Sequence, residues 1–149
     1  MKSLLIIDIQ KEYMESYPYE LIDKINNKIF KSGKEKYLII YVKNIRRLKS
    51  GNKIYDFTDN LNICSDNILF KDKASAFTNK ELEILLKNNN ITEIEIIGVD
   101  GNGCVASTAK DAVKLGYKTT LLCDYIGIKN RKRFETNKEK LKDMGIIIK

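Results

Sequence analysis

Short runs rich in apolar residues recur along this chain, and segments with a helical spacing of apolar residues separate them. Runs that are apolar throughout are typical of strands buried on both faces. Strands of this kind that alternate with helices predict a parallel sheet with helices on each side, which is an α/β fold. We predict strands at six runs: 4–7, 37–42, 68–70, 94–97, 117–123 and 146–148.

Four segments between these strands have the apolar spacing of amphipathic helices. The first begins after Pro18, the third covers 105–115, and the fourth, whose pattern is weaker, covers 134–144. Thr78 and Glu81 have the spacing of a capping box, so we expect the second helix to begin there. Strands and helices therefore alternate along most of the chain.

One stretch, 44–67, is polar and irregular, and within it only 54–57 has the pattern of a short strand. No linker, repeat or low-complexity block divides the 149 residues, so we expect a single domain over 1–149. A hydrophobic content of 43% and a charged content of 32% exclude the disordered and fibrous classes of protein.

Charge and cysteine usage indicate a cytoplasmic protein. The apolar runs are too short to span a bilayer, and no secretory signal is visible at the amino terminus. The three cysteines, Cys64, Cys104 and Cys123, show no CxxC spacing, as expected of reduced thiols in a cytosol. The net charge of +7 is spread along the chain, so we predict neither a nucleic-acid nor a membrane partner.

The chain contains no histidine. This absence excludes Ser-His-Asp catalysis, Cys-His catalysis and a zinc site with histidine ligands. Acid–base chemistry would therefore fall to Asp, Glu, Lys, Tyr or Cys side chains.

Chemically active side chains stand where three predicted strands end. Asp8 closes the first strand, and Lys71 closes the third, with Lys73 two residues further on. The glycine-rich turn 98–103 closes the fourth strand and leads directly into a helix that starts with Cys104. Ligands of parallel α/β sheets bind beyond the carboxyl ends of the strands, so these ends form the candidate site.

A cysteine at a helix start can act as a nucleophile without histidine. The positive end of the helix dipole and a nearby lysine both lower the pKa of a thiol, so we expect a reactive thiolate at Cys104. An aspartate can accept the thiol proton, and free backbone N–H groups can hold an oxyanion. Taken singly, each of these residues also has an ordinary role: Asp8 as a cap, Lys71 as a solvated charge and Cys104 as a small core residue.

Three other functions stay open for the same turn. Its glycines resemble a dinucleotide-binding turn, although the G-x-G-x-x-G spacing of that fingerprint is not met. The basic cluster 131–133 is compatible with an anion site in a binding module without catalysis. Oxidation of Cys104 by peroxide would instead make the protein a redox sensor.

Three separated motifs resemble those of the isochorismatase-like cysteine hydrolase family: LLIIDIQKEY at 4–13, KDKASAF at 71–77 and GVDGNGCVASTAKDA at 98–112. The resemblance implies a six-stranded parallel sheet in a three-layer α/β/α sandwich, and a catalytic triad of Asp8, Lys71 and Cys104. The family pattern selects Lys71 over Lys73. The resemblance further implies a homo-oligomer that acts on a small molecule without a cofactor.

The resemblance also implies how the turn before the cysteine works. The Val99–Asp100 peptide bond corresponds to a cis bond, and the N–H groups of Asp100 and Cys104 correspond to an oxyanion hole. Asp100 is also a candidate for contact with a polar substrate. Tyr13 and Phe77 are candidates for the pocket walls, and a place in the hydrophobic core is an equal alternative for both.

Departures from the family narrow the expected activity. Nicotinamidases of the family bind a metal through an aspartate and histidines, and this chain lacks histidine, so we expect no such metal site. Gly101 stands where a threonine is frequent, and the stretch 44–67 is shorter than in many members. Because Cys104 is retained, an amide substrate is favoured. Hydrolysis of an ether driven by Asp8 alone remains the alternative.

Overall fold

The computed structural model describes residues 1–46 and 55–149, and six strands within these ranges form one sheet. All neighbouring strands pair in parallel, in the order β3-β2-β1-β4-β5-β6. This arrangement confirms the predicted parallel sheet. The strands are β1 (Lys2–Ile7), β2 (Leu38–Asn44), β3 (Ile68–Lys71), β4 (Glu93–Val99), β5 (Lys118–Gly127) and β6 (Ile147–Ile148).

Five α-helices and one 3₁₀ turn connect the strands in the described ranges. The longest helix follows Pro18, as predicted. No helix in these ranges has the length and apolar character needed to cross a membrane. The helices are α1 (Lys11–Met14), α2 (Glu20–Lys34), α3 (Lys80–Asn88), α4 (Cys104–Lys114) and α5 (Arg131–Asp143), and the 3₁₀ turn is Ala76–Thr78.

The core lies in two layers, one on each face of the sheet. Side chains alternate between the faces of a strand, so Leu5 of β1 packs with α3, α4 and α5 while its neighbour Leu4 packs with α2. Both leucines are fully buried, and each contributes roughly 1.5–3 kcal/mol through burial. These two layers of helices confirm the three-layer α/β/α sandwich.

The predicted capping box at Thr78 is wrong. The Thr78 hydroxyl donates instead to the Ser75 carbonyl at 2.7 Å, so it belongs to the 3₁₀ turn. Asn79 caps α3, and its side chain accepts the Glu81 N–H at 2.9 Å. Asparagine is as good an N-cap as threonine or better, so the helix begins one residue later than the motif suggested.

The fifth strand continues to Gly127 rather than ending at residue 123, so the predicted end was wrong. Its register with β4 shifts between Ile96, which pairs with Leu121, and Gly98, which pairs with Ile126. This irregularity lets the strand pass Asp124 and bring Gly127 opposite Val99. The end of β5 therefore lies against the turn that leads to Cys104.

The predicted short strand at 54–57 lies partly outside the described residues. Within them, Phe57 forms a single antiparallel bridge with Gln10.

Candidate active site

Asp8 lies directly after β1, at the centre of the sheet. Its φ of +58° is a left-handed conformation that aspartate adopts more readily than most residues. The Asp8 N–H donates to the Val42 carbonyl of β2 at 3.0 Å, which ties the strand end in place. The side chain is buried at the carboxyl edge of the sheet.

Lys71, the last residue of β3, forms a buried ion pair with Asp8. Its Nζ lies 3.2 Å from Asp8 Oδ2, with the lysine side chain 0% and the aspartate side chain 4% exposed. Nζ also donates to the Lys73 carbonyl at 3.1 Å, whereas the Lys73 side chain is exposed. Among the described residues, Lys71 and not Lys73 therefore pairs with the Asp8 carboxylate.

Cys104 is the first residue of α4 and is partly exposed. The Asn44 side-chain nitrogen, Nδ2, lies 4.0 Å from the Cys104 sulfur. The thiol is also close enough to Asp8 and Lys71 for each to perturb its pKa. The structure thus brings together the three predicted residues, which are far apart along the chain.

The electrostatics differ from the sequence-based expectation of a lowered thiol pKa. Burial raises the pKa of the Cys104 thiol, the negative charge of Asp8 raises it further, and Lys71 opposes both. Burial also raises the pKa of Asp8, against the lowering effect of Lys71. The site therefore accommodates one negative charge beside the lysine more easily than two.

Among the described residues, Asp8 Oδ1 is buried without a hydrogen-bond partner that meets normal geometric limits. Against the raising effect of burial, Lys71 lowers the Asp8 pKa, and the nearby Cys104 and Asn44 side chains lower it further. Asp8 and Cys104 line the same cavity, so a carboxylate oxygen without a partner among the described residues is suited to accept a proton from the thiol.

A reciprocal amide pair, which the sequence analysis did not identify, holds Asn44 in this site. Gln10 Nε2 donates to the Asn44 carbonyl at 2.9 Å, and the Asn44 N–H donates to Gln10 Oε1 at 2.7 Å. Both residues are buried. Because the Gln10 side chain bonds to the backbone of Asn44 in β2, the two bonds continue the pairing of β1 and β2 beyond the end of β1. The signal for Asn44 was its place just past the second apolar run.

Gly98 lets the fourth strand approach the first without a side chain between them. It has a φ of +121°, and a Cβ there would lie 2.2 Å from the Ile7 carbonyl oxygen. The following Val99–Asp100 peptide bond is cis, as the resemblance implied. The Gly101 N–H then donates to the Gly127 carbonyl at 2.9 Å, so the end of β5 supports the turn.

The Asp100 carboxylate organises this turn. It accepts hydrogen bonds from the Tyr17 hydroxyl at 2.9 Å, the Lys129 N–H at 2.9 Å and the Asn102 N–H at 2.8 Å. Burial and the Asp100 charge raise the pKa of Tyr17, so its hydroxyl remains a donor. Within the described ranges, the N–H groups of Asp100 and Cys104 have no backbone acceptor. Both are therefore available to a ligand.

A cavity of about 180 Å³ opens beside the thiol. Tyr13 lines it, as expected, together with Tyr17, Arg46 and Lys129, which the sequence analysis did not single out. Phe77 does not line it; this ring is buried in the core and stacks on Tyr117 with a centroid separation of 6.2 Å. The remaining lining residues are Asp8, Asn44, Val99, Asp100, Gly103 and Cys104.

In the described ranges, no group of three or more His, Cys, Asp or Glu side chains is placed to hold a metal ion. Asp8 is instead paired with the ammonium group of Lys71.

Two curated proteins are similar in sequence to parts of this chain. Over 60 residues, or 40% of the chain, it is 33% identical to the N-carbamoylsarcosine amidase of an Arthrobacter species. Over 78 residues, or 52% of the chain, it is 35% identical to the ureidoacrylate amidohydrolase RutB of Serratia proteamaculans. The matched stretches span only 23% and 32% of these two curated relatives.

Solved structures share the whole fold. The pyrazinamidase of Pyrococcus horikoshii, solved in complex with zinc, superposes with a TM-score of 0.86 at 22% identity. The match covers 99% of this chain and 98% of the pyrazinamidase. At this identity the likeness concerns the fold alone. The family model described as the isochorismatase domain matches residues 2–148. The chain therefore belongs to the isochorismatase family.

Proposed function

We propose that this protein is a hydrolase that cleaves the C–N bond of a small amide, with Cys104 as nucleophile, Asp8 as acid–base and Lys71 as its charge partner. The observation that carries the proposal is the buried Lys71–Asp8 pair, 3.2 Å apart, beside a partly exposed thiol at a helix start. A buried ion pair adds little to stability compared with apolar packing, so its presence next to a nucleophile favours a chemical role.

The first step moves the thiol proton from Cys104 to Asp8. Before and after this transfer the site holds one positive charge, on Lys71, and one negative charge, on either oxygen or sulfur. Burial opposes a second negative charge, but an exchange within this pair leaves the net charge unchanged. The raised pKa values of both acids therefore suit a proton that is passed between them.

The second step is attack of the thiolate on the substrate carbonyl. A C–S bond forms, and the carbonyl π electrons move to oxygen. The oxyanion then accepts hydrogen bonds from the N–H groups of Asp100 and Cys104, which have no backbone acceptor among the described residues. Asn44 Nδ2, beside the sulfur, contributes a further donor at this edge of the cavity.

The third step expels the amine. The C–N bond breaks, Asp8 returns the proton to the leaving nitrogen, and a thioester remains on Cys104. Water, deprotonated by Asp8, then attacks the thioester, which releases the carboxylic acid and restores the thiol. No cofactor takes part in this sequence.

The two curated relatives support a C–N bond as the target. Both are named as amide hydrolases, an N-carbamoylsarcosine amidase and a ureidoacrylate amidohydrolase. Cys104 adds to this preference, because ether hydrolysis driven by Asp8 would not need the thiol.

The test is release of ammonia from N-carbamoylsarcosine, ureidoacrylate and nicotinamide by the wild type and by Cys104→Ala. We expect turnover of at least one amide and its loss in the variant, with Cys64→Ala as the matched control that retains activity. Cys64 is exposed and lines none of the site described above. Ammonia release that survives Cys104→Ala would refute Cys104 as the nucleophile and favour hydrolysis driven by Asp8 without the thiol. Binding of nucleotides without turnover would favour a binding module.

We further propose that residues 1–149 form one domain of a cytoplasmic homo-oligomer. One sheet serves both core layers, which supports a single domain. All three cysteines are free, which suits a reducing compartment. Light scattering of the purified protein measures the oligomeric state.

A further inference from the structure

Two cations at the mouth of the cavity have no acidic partner in the part of the chain that the structure describes. Arg46 and Lys129 both line it, and neither forms an ion pair among the described residues. The segment 47–54, outside the described ranges, contains no Asp or Glu, so it holds no acidic side chain for either cation. The positive charge at this mouth is therefore available to a ligand.

Among the described residues, neither acid of the cavity forms an ion pair with Arg46 or Lys129. Asp8 is paired with Lys71 at 3.2 Å. Asp100 accepts three hydrogen bonds from neighbouring groups, and the Lys129 ammonium is not within ion-pair distance of it. Together with Lys71, which is paired with Asp8, the cavity has three basic residues (Lys71, Arg46 and Lys129) against two acidic ones (Asp8 and Asp100).

Backbone contacts hold both cations near the thiol. The Arg46 N–H donates to Asn44 Oδ1 at 2.9 Å, and Arg46 Nε donates to the Asp72 carbonyl at 3.3 Å. Among the described residues, the other guanidinium N–H groups of Arg46 have no acceptor. The Lys129 N–H is held by Asp100, and its ammonium group lies 5.6 Å from the centre of the Tyr17 ring.

Basic residues also line a neighbouring cavity. A second cavity of about 320 Å³ shares Lys129 and Asp100 with the first and adds Arg133. An anion approaching the nucleophile therefore meets positive charge along its path.

We propose that Arg46 and Lys129 are specificity-determining residues that bind a carboxylate on the substrate, opposite the amide carbonyl that Cys104 attacks. This inference rests on the proposed function and names its substrate class: small amides with an acidic group. A planar guanidinium matches a carboxylate with two parallel hydrogen bonds, and Lys129 supplies a second charge. The cavity volume of about 180 Å³ suits a substrate of only a few heavy atoms.

Two alkylating agents of similar size test whether the cavity favours an anion at Cys104, and this test needs no known substrate. Iodoacetate and iodoacetamide both form a C–S bond with the thiolate as iodide leaves, but only iodoacetate carries a carboxylate. The rate of each at Cys104 is followed by mass spectrometry, with Cys64 as an internal reference. We expect the ratio of iodoacetate to iodoacetamide rates to be about tenfold higher at Cys104 than at Cys64.

Variants assign this preference to the two cations. Arg46→Gln and Lys129→Gln should each lower the ratio at Cys104 severalfold, and the double variant should bring it to that of Cys64. Lys132→Gln removes the same charge from an exposed position on α5 and should leave the ratio unchanged. Equal ratios at both cysteines of the wild type, or a ratio that the double variant retains, would overturn the inference.

A pair of substrates then separates the inference from the proposed function. N-carbamoylglycine and propylurea share a ureido group, and only the first is anionic. We expect kcat/KM to favour N-carbamoylglycine, mainly through KM, and the double variant to remove that preference. Hydrolysis with no preference for the anion refutes the carboxylate site alone. Absence of all hydrolysis together with a high alkylation ratio refutes the amidase proposal and leaves the anion site standing.

Discussion

Replacement of Lys71 by methionine should destabilise the protein strongly, because it leaves a buried carboxylate without its cation. The Lys71 side chain is 0% exposed, and Lys71 Nζ lies 3.2 Å from Asp8 Oδ2. Methionine fills much of the same volume, so the loss is chiefly electrostatic. Breaking a buried ion pair by removing one partner costs about 3–5 kcal/mol in the free energy of unfolding.

The same change predicts how stability depends on pH. Burial already holds the pKa of folded Asp8 above its usual value, and Lys71 is the first influence that lowers it. Without the lysine this pKa rises further, so the folded state binds a proton that the unfolded state releases. Stability should therefore fall as the pH rises from about 4 toward the raised pKa, and more steeply in Lys71→Met than in the wild type.

Urea denaturation at several pH values measures both effects. The double variant Asp8→Asn/Lys71→Met is the matched control, because it removes both charges and should recover most of the lost stability. The reasoning would be refuted if Lys71→Met were as stable as the wild type near neutral pH. A double variant less stable than Lys71→Met would also refute it, because the carboxylate would then not be the source of the loss.

Two further predictions concern the thiol and the turn before it. The Asp8 charge raises the pKa of Cys104, so Asp8→Asn should shift the alkylation of Cys104 to lower pH and abolish turnover. The pH–rate profile of alkylation measures this shift, and an upward shift would contradict the prediction. Gly98→Ala should destabilise the fold by several kcal/mol in denaturant unfolding, since its Cβ would lie 2.2 Å from the Ile7 carbonyl oxygen. Gly116 also has a positive φ, but no atom lies within 4 Å of the position that a Cβ would take there. Gly116→Ala should therefore cost only about 1 kcal/mol, and an equal loss of stability in both variants would exclude the steric explanation.

The site residues that the sequence revealed are those at strand ends. Asp8, Lys71 and Cys104 each follow or close a buried strand, and parallel strands present their carboxyl ends at one edge. Their meeting could therefore be predicted before any coordinates. The choice of Lys71 over Lys73 came from motif resemblance, because sequence spacing does not say which lysine turns inward.

Other features of the site left no clear mark in the sequence. Gln10 and Asn44 are 34 residues apart, and their reciprocal hydrogen bonds depend on the register of β1 against β2. Likewise, the sequence left a pocket wall and the core as equal alternatives for Phe77, which in the structure is buried in the core and stacks on Tyr117. Local patterns do not determine such contacts, because each depends on how distant segments pack.

The sequence by itself determined the order of strands and helices and the edge of the sheet where chemistry is placed, since periodicity and strand polarity are local properties. Only the tertiary structure decided in which direction the pKa values of the site are shifted. Burial, which no local motif encodes, raises the pKa values of both Asp8 and Cys104, contrary to the thiolate that a helix start alone predicts. The tertiary structure also placed Arg46 and Lys129 at one cavity, because folding brings the residues after β2 close to those after β5.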